Sequence, residues 1–342
     1  MSLPVAAGAQ SAQETGPEHA QTNYFQLVED ARASMMRAPQ EALDLASLAE
    51  ARLSLDVSAA DRPEARATLN WLRSEALTRL GRPQEAEPAG RQALADLGDN
   101  PAPTKLYADI LVAIARIERV TGRYGEALEN FQAAYTVFRE IDAPRSEAIV
   151  LLSIASIYRD AHQYDRAVDY FLDASERYDG DPNLELAAHN NLGNAYREMA
   201  DYPAALDHFN RARTIAIALD STMLEARILS NMAALYVDME DYDAADEALE
   251  ISFAQIDSNG TEWARFLWGV RAQIAFGRGE IDASVAAISQ TFDGVALDDT
   301  TQSFREFHDA AANIYEAAGQ SQAALPHLRA FKRLDDEARA VA

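Results

Sequence analysis

Apolar and polar residues alternate in this chain with a helical beat, and the beat itself repeats. Between Leu186 and Met199, the residues Leu192, Gly193 and Tyr196 fall on one stripe at i, i+1 and i+4, which is helical and not strand periodicity. Met199-Ala200-Asp201-Tyr202-Pro203 interrupts it, with Pro203 placed for the first turn of a second helix, where a missing N–H costs nothing. That second helix carries Ala205, Phe209 and Ala212 on one face. The arrangement recurs along the chain. Tyr124, Tyr164, Tyr202 and Tyr242 are each followed by Ala127, Ala167, Ala205 and Ala245, then by Phe131, Phe171, Phe209 and Leu249, then by Ala134, Ala174, Ala212 and Ser252. A period of about 40 residues signals a solenoid, in which each helix pair stacks on its copies because none can bury its apolar face alone.

The alanines have a steric task. Where two antiparallel helices cross closely only a small side chain lets the backbones approach, and the aromatic residue four positions on fills the space beside it. Asn191-Leu192-Gly193-Asn194-Ala195-Tyr196, followed by Asp201-Tyr202-Pro203-Ala204-Ala205-Leu206, resembles the signature of the tetratricopeptide repeat (TPR) family in its longer bacterial form. Weaker copies around Ala42, Ala86, Ser284 and Ala324 extend the resemblance over residues 23–340. The resemblance implies an all-α fold, an α-α superhelix of about eight antiparallel helix pairs. Residues 23–342 then form a single solenoid domain behind a disordered tail, residues 1–22. Pro88 and Gly90 stand inside an expected second helix, where both are poor residues, so that pair is expected to bend or shift register.

Composition narrows the partners. Nearly half of the 342 residues are apolar, and 55 acidic residues against 30 basic ones give a net charge of −25. Such a surface repels phosphate backbones and anionic lipid alike, so neither nucleic acid nor membrane is an expected partner. No apolar run approaches the roughly 20 residues a membrane-spanning helix needs. There is no cysteine, which excludes disulfides, thiolate metal sites and cysteine nucleophiles. Val5-Ala6-Ala7-Gly8-Ala9-Gln10 looks like the cleavage end of a secretory leader, with Ala7 and Ala9 as the small residues before the cut. That pattern places the chain in the bacterial periplasm, with an alanine-rich tail and a cytoplasmic location as the alternative.

A search for chemistry finds little. There is no phosphate-cradling glycine loop, nucleophile elbow or His-Glu-x-x-His, so no catalytic residue, cofactor or metal ligand is expected. His189 and His308 hold equivalent positions on the apolar stripes of their repeats and read as packed, hydrogen-bonded residues. Asp257-Ser258-Asn259-Gly260-Thr261-Glu262 lacks the later acidic ligand of a calcium loop and reads as a turn.

What remains is the concave surface that the resemblance implies, lined by the first helix of each pair. Carried over position by position, it offers Arg116 and Arg119, then Ser156 and Arg159, then Asn190, Asn191, Asn194 and Arg197, then Arg227, Ser230 and Asn231. Amide side chains both donate to and accept from a peptide backbone, and arginine forks fit carboxylates, so this lining suits an extended peptide or protein segment. The bland alternative pairs Arg119, Arg159 and Arg197 with Asp160, Glu198 or Asp238, which carries no function. The C-terminal stretch from Ala324 reads as an amphipathic helix with Leu325, Leu328, Phe331 and Leu334 on one face, ending at Ala342 without a stop signal. In arrangement the chain resembles the sensory region ahead of a bacterial diguanylate cyclase or sensor histidine kinase, with the output domain absent. A non-enzymatic peptide-sensing region is the first expectation. A free-standing scaffold is the second, and a cytoplasmic peptide-responsive regulator the third.

Overall fold

The computed structural model describes residues 22–177, 180–255 and 261–339. The Ala7/Ala9 pattern, residues 257–260 of the calcium-like stretch and Ala342 lie outside these residues. The described elements are helices with no strand among them, and they fall into two compact units, Met1–Asn100 and Pro101–Ala342. The first holds α1 (Tyr24–Ser34), α2 (Pro39–Asp56), α3 (Arg62–Arg79) and α4 (Pro83–Asp96). The second holds α5 (Lys105–Val120), α6 (Tyr124–Glu140), α7 (Pro144–Asp160), α8 (Tyr164–Arg177), α9 (Pro182–Glu198), α10 (Tyr202–Ala218), α11 (Thr222–Asp238) and α12 (Tyr242–Gln255). It continues with α13 (Thr261–Gly277), α14 (Ile281–Thr291), two 3-10 turns (Leu297–Asp299 and Gln302–Phe304), α15 (Arg305–Ala317) and α16 (Ser321–Arg339). Its six pairs make an α-α superhelix.

The small position of every repeat is buried: Ala42, Ala86, Ala127, Ala167, Ala205, Ala245 and Ser284 at 0% exposure, Ala324 at 1%. Phe131, Phe171, Phe209 and Leu249 are likewise at 0%. Each such side chain contributes about 1.5–3 kcal/mol by leaving water. The approach is close at Gly193, where an added Cβ would stand 2.6 Å from the Phe209 ring, at Gly269, where it would stand 2.5 Å from the Phe307 ring, and closest at Gly277, 2.3 Å from the Tyr242 ring. Helix α4 runs unbroken through Pro88 with Ala86 and Gly90 buried, so the register shift expected for this pair does not occur. In α16 the buried face is Ala324, His327, Ala330, Leu334 and Ala338, whereas Leu325 and Leu328 are exposed. The amphipathic reading therefore holds at Leu334 and fails at Leu325 and Leu328, where close packing selects the small residues Ala324 and Ala330 beside them.

The turn within seven of the eight pairs, all but α1–α2, has one geometry. Gly81, Gly122, His162, Ala200, Glu240, Gly279 and Gly319 all take positive φ, between 58° and 78°. In each case the next N–H reaches back over the helix end, as Asp201 N does to Tyr196 O at 2.9 Å and Gln320 N to Tyr315 O at 2.7 Å. This satisfies carbonyls that a helix end would leave unpaired.

The second unit also returns on itself. The Glu337 carboxylate lies against Gly122, the Gln302 side chain meets the Tyr124 hydroxyl, and Glu306 pairs with Arg197 across 109 positions of sequence. The last pair thus sits against the turns and inner helices of the unit's first pairs.

Two stability predictions arise. Ala200→Gly, which relieves a left-handed residue of its Cβ, should stabilise the protein by about 1 kcal/mol in urea melts. A destabilised variant would mean the turn is not held in that conformation. Gly193→Ala should destabilise by about 1–3 kcal/mol, since its methyl drives Phe209 off its rotamer. Its effect should shrink in a Phe209→Leu background, because residues sharing a contact are not additive.

Candidate functional site

The polar residues predicted for the concave surface lie on the first helices of four successive pairs, α5, α7, α9 and α11. Their hydrogen bonds sort them. The hydroxyls of Ser156 and Ser230 donate to their own helices, to Leu152 O and Arg227 O, both at 2.8 Å. Asn194 Nδ2 donates to Asn190 O at 3.1 Å, within α9. Asn231 Nδ2 donates to Asn190 Oδ1 at 2.8 Å, which couples α11 to α9 through a pair of amides. Asn190 is buried, while Asn191, Asn194 and Asn231 are half-buried.

Most of the predicted arginines are spoken for. Arg119 Nη1 and Arg159 Nη2 donate to the two oxygens of one carboxylate, Asp160, each at 3.0 Å. Arg116 is half-buried and also has a partner. Arg197 is the centre of a larger cluster: its Nε donates to Asp238 Oδ2 at 2.5 Å and its Nη2 to Glu306 Oε1 at 2.6 Å, with only 11% of the side chain exposed. Gln273 Nε2 adds a bond to the same Glu306 oxygen at 3.0 Å. Burial opposes charge on all of them. The two carboxylates nevertheless raise the Arg197 pKa, and Arg197 with Gln273 holds Glu306 below the usual carboxylate range. Asp238 ends up raised, because burial outweighs what Arg197 returns to it. The cluster joins α9, α11, α13 and α15.

Arg227 differs. It is half-buried on α11, its Nε is buried without a hydrogen-bond partner, and burial alone lowers its pKa. No carboxylate among the described residues stands within ion-pair distance of it.

Sequence reasoning missed Glu306 and Gln273, which come from later repeats, but its alternative reading named Asp160 and Asp238, and their spacing carries the signal. Arg119 with Asp160, Arg197 with Asp238 and Asn190 with Asn231 are all separated by 41 positions, one repeat plus one residue. Polar pairs at that offset face each other between consecutive first helices.

The histidines form two matching pairs across the helices of a repeat. His189 Nδ1 meets His208 Nδ1 at 3.0 Å, and His308 Nδ1 meets His327 Nδ1 at 2.9 Å. One proton between two such nitrogens makes one ring the donor and the other, its Nδ1 unprotonated, the acceptor, an arrangement that two neutral rings of opposite tautomer satisfy. Tyr196 stacks on His208 and Tyr315 on His327, while His308 Nε2 also meets Thr300 Oγ1 at 2.8 Å. His189 and Glu185 additionally border two hollows, of about 250 and 270 Å³. Among the described residues no three His, Asp or Glu side chains gather as metal ligands, and no helix is long and apolar enough to cross a membrane.

The tetratricopeptide repeat family model matches residues 106–180 and 184–258. Among curated proteins, the Tonsoku-like protein of Danio rerio is 29% identical over 110 residues, which is 32% of this chain and 8% of that protein. The chain spans less than a third of the curated relatives it matches. Among solved structures, a Rap protein in complex with the competence and sporulation factor superposes with a TM-score of 0.71 at 14% identity, over 97% of this chain and 90% of that one. The apo form of the quorum sensor NprR from B. thuringiensis gives 0.65 at 12% identity, over 91% and 87%. At these identities the likeness is one of fold.

The histidine pairs generate a pH prediction. Burial pushes His308 down to about 3, with His327 and Arg333 adding to it, and pushes His327 down to about 4. Groups whose pKa falls on folding leave the native state with fewer protons below 6.5, so their stabilisation is full above that pH and lost as pH drops toward 4. Wild type should therefore melt at a lower temperature at pH 5 than at pH 7, and His308→Leu/His327→Leu should narrow that gap. Parallel pH curves for the two proteins would remove the role assigned to this pair.

Proposed function

We propose that this chain, whose residues 106–180 and 184–258 match the tetratricopeptide repeat family, is a non-enzymatic binder of an extended peptide or protein segment. The single observation that carries this reading is the amide couple Asn190–Asn231, set on consecutive first helices at positions that face the concave side in this family. The couple uses one N–H of Asn231 and the carbonyl of Asn190, which leaves the Asn190 amide N–H groups and the Asn231 carbonyl to complement a peptide backbone. Asn191 and Asn194 extend the same polar surface along α9. The similar folds lend support, since one is described as a quorum sensor and another in complex with the competence and sporulation factor.

In this reading the chain is the sensory or regulatory region of a bacterial signalling protein, and the Ala7/Ala9 pattern assigns it to the periplasm. The surplus of acidic residues disfavours nucleic acid as the partner. A segment lying across several repeats favours one curvature of the superhelix over others, and a ligand shifts such an equilibrium only by that differential affinity.

The test is capture of peptides from a random library, followed by anisotropy titration of the enriched sequences. Asn191→Ala/Asn194→Ala/Asn231→Ala should bind them at least about tenfold more weakly, a loss of roughly 1.4 kcal/mol, with a melting temperature near that of wild type. Unchanged affinity would place the ligand elsewhere.

A further inference from the structure

We infer that the chain associates head to tail with a second copy of itself, α1 of one molecule receiving α16 of another through Phe25, Leu328 and a charge pairing of Glu29 with Arg329 and Lys332. The inference is independent of the groove.

The stacking of one pair on the next follows a register that can be counted from the small residue of each repeat. Four positions after it stands a residue that is buried in seven pairs, from Ala46 to Ile288. Seventeen positions before it stands another, also buried in seven pairs, from Leu69 to Phe307. The two meet where pairs stack: Ala46 shares a buried cluster with Leu69, Phe131 with Val150, and Phe171 with Ala188. Each position is exposed once. The residue four after Ala324 is Leu328, at 41% exposure, with Leu325 beside it at 51%. The residue seventeen before Ala42 is Phe25, at 60%. Among the described residues nothing covers either, whereas the end of a solenoid ordinarily turns a polar face to water.

Charge fits the same register. Thirteen positions before the small residue stand Arg73 and Arg271, and each pairs with a glutamate of the preceding second helix. Arg73 takes Glu50, eight positions after Ala42, and Arg271 takes Glu250, five positions after Ala245. In α1 the thirteenth place holds Glu29, and in α16 the fifth and eighth places hold Arg329 and Lys332, all three exposed. The signs are reversed, so this head and this tail complement each other. Glu29 with Arg32 and Lys332 with Asp336 are solvent-exposed pairs that cost little to exchange. Two α16 helices face to face would instead set Arg329 and Lys332 of both copies against one another, which like charge disfavours. A contact between unlike ends is heterologous, so it adds copies into an open chain or a ring.

The experiment is sedimentation velocity on the full chain at rising concentration, in physiological salt that screens the net charge of −25. Wild type should shift from monomer to dimers and longer species. Phe25→Glu and Leu325→Glu/Leu328→Glu should each stay monomeric, with melting temperatures near that of wild type because all three positions are exposed. Mixed together, these two variants should form dimers and nothing longer, since one brings an intact tail and the other an intact head. Glu29→Arg should weaken association at least about tenfold through like-charge repulsion, and adding Arg329→Glu/Lys332→Glu to the same chain should restore it. Wild type that stays monomeric at every concentration would overturn the inference. So would association that Phe25→Glu leaves intact, which identifies a two-fold contact between α16 helices, or a charge exchange that restores nothing.

Discussion

Everything in this molecule depends on how closely two helices approach at one small residue. The eight buried positions from Ala42 to Ala324 let paired backbones come together, and where the aromatic partner is present its ring closes the space that a larger side chain would otherwise occupy. Gly193 against Phe209 shows how little tolerance remains, since even a methyl group would overlap the ring. Because the interlock fixes the geometry of each pair and the stacking of one pair on the next, it also fixes where the polar stripe of each first helix points. The groove is a consequence of the core.

Its hydrogen bonds then decide which groove residues retain any capacity for a ligand. A side chain whose donors and acceptors are met inside the fold has little to offer a partner. Arg119, Arg159 and Arg197 are of that kind, and so are the hydroxyl protons of Ser156 and Ser230. The Arg197 cluster ties together α9, α11, α13 and α15, so it sets the curvature of the second unit at the point where its last pair meets the earlier ones. Buried ion pairs of this sort contribute little net stability but are expensive to break by removing one partner. Their effect is to specify one arrangement of the repeats.

The repeat architecture was legible in the chain because it rests on few residue types: alanine or serine where backbones meet, an aromatic or leucine where the gap is filled. The turns were less legible. Gly81, Gly122, Gly279 and Gly319 announce a left-handed residue, but His162, Ala200 and Glu240 hold the same conformation without glycine, because the helix-end hydrogen bonds around them outweigh a cost of about 1–2 kcal/mol. The last helix was misread for a related reason. Hydrophobicity alone favoured Leu325 and Leu328 as the buried edge, while packing against α15 chose Ala324, Ala330 and Ala338. The predicted polar residues lie on inner helices, and Asp160 and Asp238 were legible as partners of their arginines, but Glu306 was not, since it reaches Arg197 from 109 positions away.

That distinction matters more for function than the inventory of groove residues does. An arginine paired across repeats and an arginine left unpaired look alike in sequence, and both sit on the same face of their helices. They differ in free energy. The paired one has been stabilised by the fold, whereas the unpaired one is destabilising until something outside the fold satisfies it, and a group kept in that condition marks where a partner completes the structure. In this chain Asn231 and Asn190 meet each other across two helices, and Arg227, one turn along the same stripe, carries a charge for which no described carboxylate stands within ion-pair distance.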